Sequence, residues 1–404
     1  MKTILLLSVI ITILFISIVM YFGNTTSTYA NKKWEVSDTF GTPLNRDIDG
    51  DGDKDAAVIL HNIAGGNSYD LGYSIYVDNK GKVYVTGYSE GKETGTDLIV
   101  IRLNSNGSLD KKFGSQGKVV LHNIAGGNKD DFGHSIHVDK TGKFYVTGWS
   151  WNGSNDDLII TKLNSDGSLD KSFGSDGKVV IHNIAGGKSS DLGYSVYVDT
   201  NDKVYITGWS WNRFHTDPIV IRLNNDGSLD KSFGSNGKVI LNNIAGGSKD
   251  DRGHSIHVDK TGKIYVTGWS WNDSNGDLVV IKLDSNGSLD TTFGSQGKIV
   301  LDNIAGEESV DFGYSICTDK NGKVYVTGCS SNGSDYDLVV IRLNDDGSLD
   351  KTFDNDGYIV LDNIAGGDSS DMGYSIYVDK NDKVYVTGCS SNGSDDDLIV
   401  VKIE

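Results

Sequence analysis

The stretch best equipped for chemistry is residues 47–55, where Asp47, Asp49, Asp51, Asp53 and Asp55 alternate around Gly50 and Gly52. Oxygen ligands at loop positions 1, 3, 5, 7 and 9, with glycine at 6, describe the first nine positions of a calcium loop. On this reading Asp53 supplies its backbone carbonyl, and Asp55 binds directly or through water. Position 12 is Val58, so the bidentate glutamate of an EF-hand is missing, and no helical pattern flanks the loop. One Ca²⁺ is expected in preference to Mg²⁺, because many flexible oxygen ligands suit the larger ion. The competing reading is a solvated acidic turn. A bound ion at this place would act mechanically, ordering the strand that follows.

A second group of candidates is aromatic. Six of the seven tryptophans occur as Trp-Ser-Trp: Trp149 with Trp151, Trp209 with Trp211, and Trp269 with Trp271. Residues two apart on an extended strand share a face, so each pair can form a stacking platform. Flanking Asn, Asp and Ser suit the hydroxyls of a sugar whose C–H face stacks on the ring. The competing reading is packing between sheets. Trp151, Trp211 and Trp271 fit either; Trp149, Trp209 and Trp269, nearer the strand, fit packing better. Arg213, Phe214 and His215 make the most irregular insertion beside these rings. Arg213 and His215 therefore join the six tryptophans as candidate ligand-binding residues.

Other reactive types carry less. His134 with His137, and His254 with His257, lie three apart, on opposite faces of a strand, and replace tyrosines found at matching positions. They are expected to pack with their ring nitrogens bonded. His61, His122 and His182 give way to Asn242, Asp302 and Asp362, which reads as a tolerant outer edge. Cys317, Cys329 and Cys389 form an odd count with neither disulfide nor metal spacing and are expected to be buried free thiols. There is no nucleophile elbow and no zinc helix, so no enzymatic activity and no catalytic residue are expected.

The elements that position these residues are set by an internal repeat. A Thr-Gly landmark falls at Gly87, Gly148, Gly208, Gly268, Gly328 and Gly388, a step of 61 residues and then of 60. Each unit holds four short Val/Ile/Tyr-rich runs bounded by Gly, Asn, Asp and Ser, the signature of strands. In the first unit they are residues 72–78 (GYSIYVD), 82–87 (KVYVTG), 97–103 (DLIVIRL) and 118–124 (KVVLHNI). The third run is apolar at nearly every position, as expected when both faces of a sheet are covered. Such four-stranded antiparallel sheets at this spacing read as propeller blades. A β-solenoid is the alternative, but its coils are usually shorter. The chain is therefore expected to be all-β, a six-bladed β-propeller over residues 31–404. Strand 56–63 would complete the blade formed by 373–403, which ends on its third run, and so close the ring.

Recurrence separates scaffold from variation. An Asp precedes the first strand of every unit (Asp70, Asp131, Asp191, Asp251, Asp311, Asp371), and another opens the third (Asp97, Asp157, Asp217, Asp277, Asp337, Asp397). Six-fold carboxylates are expected to cap turn amides. The Trp-bearing loops, between second and third strands, share a rim with the loops entering each blade.

Lys2 precedes an apolar run over residues 4–22, and Thr28-Tyr29-Ala30 offers a small-residue cleavage site. Residues 1–30 are expected to be a signal peptide, or a membrane anchor if uncleaved. Either way the repeats are secreted or displayed on the extracytoplasmic surface. Formal charge is −18, with 51 glycines and 2 prolines. Such a surface repels phosphate backbones, so nucleic acid is not an expected partner.

The text GYSIYVDNKGKVYVTGYS followed by DLIVIRLNSNGSLDKKFG resembles the delta-60 repeat of bacterial exported proteins, over roughly residue 34 to the C-terminus. That resemblance implies a β-propeller and no agreed activity. The acidic loop is similar to the calcium loops of FG-GAP and VCBS propeller repeats, which run straight into a strand. The expected function is an exported, non-catalytic, monomeric propeller that recognises a glycan or a surface protein and is stabilised by calcium. A purely structural surface protein and, further off, a propeller hydrolase or lyase are the alternatives.

Overall fold

The computed structural model describes residues 42–43, 56–306, 310–366, 369–394 and 396–403. The acidic loop at 47–55 and the segment 1–30 lie outside the described residues. All regular structure among the described residues is β. Six antiparallel sheets follow one another along the chain, the blades of a six-bladed β-propeller. The second is typical: Asp131–Val138, Phe144–Trp151, Asp156–Leu163 and Lys178–Ile181 pair in chain order.

The first five sheets have four strands, and the sixth has three, Asp371–Val378, Val384–Ser391 and Asp396–Ile403. Ala56–Ala57 pairs with Thr42–Pro43. The residues that follow pack on the first blade: Val58, Leu60 and Ile63 join Val83, Val85, Ile99 and Ile101.

Contacts divide the chain into two units, 1–180 and 181–404. In the first, a second core joins Tyr84, Leu98 and Val100 of one blade to Ile136, Val146 and Ile159 of the next. In the second, the same sheet-on-sheet packing recurs, with Val220 and Tyr205 against Ile256 and Val266, then Val280 against Ile316 and Val326. Covering both faces of each central strand explains its unbroken apolar text. Leu98, Ile99, Val100 and Leu103 are all buried.

The repeat landmarks have separate physical causes. The Thr of Thr-Gly buries its hydroxyl and donates across the sheet, Thr147 to the carbonyl of Ile159 at 2.9 Å. The Gly lets the neighbouring strand approach: a Cβ on Gly148 would lie 1.7 Å from the carbonyl oxygen of Phe132. In Gly-Ser-Leu-Asp-x-x-Phe-Gly the carboxylate pairs with one half-buried lysine and one buried cation. Asp110 pairs with Lys82 and with Arg102 (3.0 Å), and the Arg102 guanidinium lies 4.6 Å from the ring centre of the buried Phe113. Asp170, Asp230, Asp290 and Asp350 repeat the pairing with Lys143, Lys203, Lys263 and Lys323 at 2.7–2.8 Å.

The Asp at the head of each blade caps turn amides, as its six-fold recurrence suggested. Asp131 accepts from the backbone N–H of Asn123 (2.7 Å) and Ile124 (3.0 Å). Asp70 does the same for Asn62 (2.8 Å) and Ile63 (3.1 Å), so residues 58–63 enter the first blade as later fourth strands enter theirs.

Candidate functional site

The Trp-Ser-Trp loops end the second strands of blades two, three and four and are positioned by asparagine. Asn152, Asn212 and Asn272 each accept backbone N–H groups two and three residues on, closing tight Asx turns. The central serine is buried and holds the loop that enters the blade: Ser150 accepts from the amide of Ala125, and Ser210 from that of Ala185, both at 2.8 Å. The two tryptophans of each pair are thereby half-buried on one face.

The inner rings are engaged by protein. Trp149 is sandwiched between Phe132 (4.6 Å, 28°) and His134 (4.4 Å, 27°). The guanidinium of Arg252 lies 4.9 Å from Trp209 and 5.3 Å from Trp269, a cation held between two indole faces. The outer rings differ from blade to blade. Ammonium groups of Lys129 and Lys249 stand 4.8 Å from Trp151 and Trp271. In blade three the residue in that position is Ser189.

Blade three is also where the loop departs from the repeat. Arg213 adopts φ of 96° at a position occupied by Gly153, Gly333 and Gly393 in other blades and by Asp273, at φ 79°, in blade four. Its Nε donates to the carbonyl of Gly186 at 3.1 Å. Phe214 is 83% exposed, the most exposed large apolar side chain among the described residues. His215 turns back to Asp217 at 3.2 Å, and Asn212 bonds both. An aromatic ring, a cation and an imidazole thus share one turn beside Trp211.

The histidines of the first strands pack, whereas His61, His122 and His182 are exposed. His134 also stacks on Tyr73 (4.5 Å, 15°), and His254 lies between Tyr194 and Tyr314 at 5.1 and 5.5 Å. His257 meets Tyr197 edge-on and the Thr318 hydroxyl at 3.1 Å. Burial holds His254 and His257 down at about 4, with Arg252 adding to the effect at His254. The expected ring-nitrogen bond is lacking at His254, whose buried Nε2 has no partner. All three cysteines are free thiols; Cys329 is fully buried, and Cys317 and Cys389 are half-buried. Burial pushes the Cys317 and Cys329 thiols up to about 12.

Two carboxylate clusters were not singled out from the sequence. Asp277, Asp302 and Asp311 each present an oxygen within 4.8 Å of the others, and so do Asp337, Asp362 and Asp371. In each, two members are buried and the third, Asp302 or Asp362, is exposed. Burial pushes Asp277 and Asp337 up to about 6. Asn272 and Asn332 partly offset it, and the neighbouring carboxylates add to it. The available signal was the change from His122 and His182 through Asn242 to Asp302 and Asp362, which reads as tolerance until the fold brings two buried carboxylates beside it.

Residues 81–113, 140–173, 200–233, 260–293 and 320–353 match the model of a family described as a domain of unknown function (DUF5122) beta-propeller. Residues 242–275 match a beta-propeller repeat model (SBBP). The chain is a β-propeller repeat protein. No curated protein matches it. Among solved structures it is similar to a gluconolactonase from Xanthomonas campestris, at 13% identity and TM-score 0.35, over 76% of this chain and 86% of that one. A glucose dehydrogenase shares 12% identity at TM-score 0.45, over 82% and 96%. A polysaccharide lyase, an ulvan lyase, shares 13% at 0.42, over 80% and 81%. These likenesses show the fold alone. The expectation that the chain is not an enzyme is corrected: a propeller fold hosts enzymes as well as binding proteins, so neither the repeat architecture nor the lack of a familiar catalytic motif excludes catalysis.

Proposed function

We propose that this chain is an exported recognition propeller that binds carbohydrate through the Trp-bearing turn of blade three. The observation that carries this reading is the turn Arg213–Phe214–His215. A strained non-glycine backbone holds an 83% exposed phenylalanine beside Trp211. Strain and an exposed aromatic ring both work against stability, so their joint presence favours a role in contact. In blade four Trp271 has one lysine already against its ring, and Arg252 is held by Trp209 and Trp269.

The proposal includes export through residues 1–30, membership of the delta-60 class of repeats, and a Ca²⁺ held by Asp47, Asp49, Asp51, Asp53 and Asp55. The test is a glycan and cell-wall polysaccharide panel with the full chain in mild detergent, with calcium and with chelator. Binding that falls at least tenfold in Trp211→Ala and Phe214→Ala, with the β circular dichroism retained, is the expected result. A folded protein that binds nothing on the panel would overturn the carbohydrate reading and leave a protein partner or a structural role. Turnover of the bound saccharides, followed in the same samples, decides whether recognition is coupled to catalysis.

A further inference from the structure

We propose that Asp337, Asp362 and Asp371 hold a hard divalent cation at the junction of the fifth and sixth blades, a site separate from residues 47–55. Three carboxylates from three places converge there. Asp337 opens the third strand of blade five, Asp362 follows its fourth, and Asp371 opens blade six. One oxygen of each lies within 4.8 Å of the others.

A second observation points to a missing ligand. Asp371 is completely buried, yet its Oδ1 has no hydrogen-bond partner. Its Oδ2 accepts from the amide of Asn363 at 2.8 Å. In other blades Oδ1 takes the next amide as well: Ile63 to Asp70, Ile124 to Asp131, Ile184 to Asp191 and Ile304 to Asp311, at 3.0–3.3 Å. A buried carboxylate oxygen without a partner is costly, and a bound cation would satisfy it.

The partners present are too weak to neutralise the cluster. Asn332 Nδ2 reaches both oxygens of Asp337 at 3.2 Å, and Asn363 Nδ2 reaches Asp362 Oδ2 at 2.9 Å. No ion pair among the described residues involves any of the three, in contrast to Asp110 or Asp350 with their lysines and arginines. An all-oxygen, all-anionic set selects a cation of the Ca²⁺ or Mg²⁺ class over softer metals. Three protein oxygens leave the remaining positions to water on the exposed Asp362 side. Asp277, Asp302 and Asp311 repeat the arrangement one blade earlier, though there both oxygens of Asp311 accept amides.

The experiment isolates this cluster. The background chain carries Asp47→Asn, Asp49→Asn, Asp51→Asn and Asp302→Asn, which removes the acidic loop and the neighbouring cluster. Titrations with Ca²⁺ and, separately, Mg²⁺ are followed by calorimetry, before and after adding Asp362→Asn. Position 362 is exposed, and the repeat itself places Asn at 242, so this last change leaves the fold intact, checked by circular dichroism. Binding of either ion by the background, weakened at least tenfold by Asp362→Asn, is the expected result, and the relative affinities identify the ion. Absence of binding of both ions by the folded background, or binding indifferent to Asp362→Asn, would overturn the site.

Discussion

Gly148 and Phe132 face each other across the first two strands of blade two so closely that a Cβ would stand 1.7 Å from the Phe132 carbonyl oxygen. The obstacle is backbone, which cannot swing aside as a side chain can. Gly148→Ala should therefore lower stability by about 3 kcal/mol, the upper range for overpacking a tight site. Denaturant unfolding of this one variant checks it. An alanine protein as stable as the parent would mean that the Thr-Gly landmark recurs for some other reason.

The two tryptophans of a pair are expected to answer differently to truncation. Trp149 sits between Phe132 and His134, so Trp149→Ala should cost about 2–3 kcal/mol of stability. Trp211→Ala should cost less than about 1 kcal/mol and act on binding instead. Thermal melts beside panel affinities separate the two. Equal destabilisation by both would remove Trp211 from the contact surface.

Stability should pass through a maximum on the acid side of neutrality, because two sets of carboxylates pull in opposite directions. Lys143 and Ser172 hold Asp170 well below the usual carboxylate range, against burial. Its contribution is present above the unfolded value and is lost as pH falls through and below about 4. Burial, assisted by Asp217 and opposed by Ser270 and Asn243, pushes Asp251 up to about 6. Its ionised form is disfavoured in the fold, so stability rises as pH falls from about 7 toward about 4. Asp251→Asn should flatten the neutral limb by on the order of 1–2 kcal/mol, after allowing for solvent screening. Asp170→Asn should cost on the order of 2 kcal/mol at neutral pH and much less below about pH 3. Melting curves across that range decide it; a neutral limb unchanged in Asp251→Asn would show that the carboxylate is solvated.

Thiol labelling should rank the cysteines. Cys329 is fully buried and its thiol stands at about 12, so a disulfide reagent at about pH 8 should leave it unmodified in the native chain. Cys389, half-buried beside the Tyr374 hydroxyl at 3.5 Å, should react first. All three should react together in denaturant. Native labelling of Cys329 as fast as Cys389 would show that blade five opens readily.

Much of the architecture was legible because each repeat states its own local physics. Val and Ile runs bounded by Gly and Asn are strands whatever follows them. A third run apolar on both faces needs a neighbour on each side. The capping role of Asp131 and its counterparts was legible too, since a carboxylate repeated in every blade can hardly serve chemistry needed once. The ligand candidates were legible chiefly as types: Trp149, nearer the strand, leaned toward packing, but its partners were not visible. What separates it from Trp151 is Phe132 and His134 on the adjacent strand, a contact fixed by strand register.

The sequence by itself determined the period, the strands, their turns and the aspartates that cap the entry to each blade, because these depend on features repeated in every unit. Tertiary structure alone decided which tryptophan is sandwiched, that Arg252 lies between Trp209 and Trp269, and that Asp337, Asp362 and Asp371 meet. Residues 25 and 9 positions apart carry no mark of proximity in linear text. They become one charged cluster only when the end of one sheet is laid against the start of the next, where burial makes an unpartnered oxygen costly.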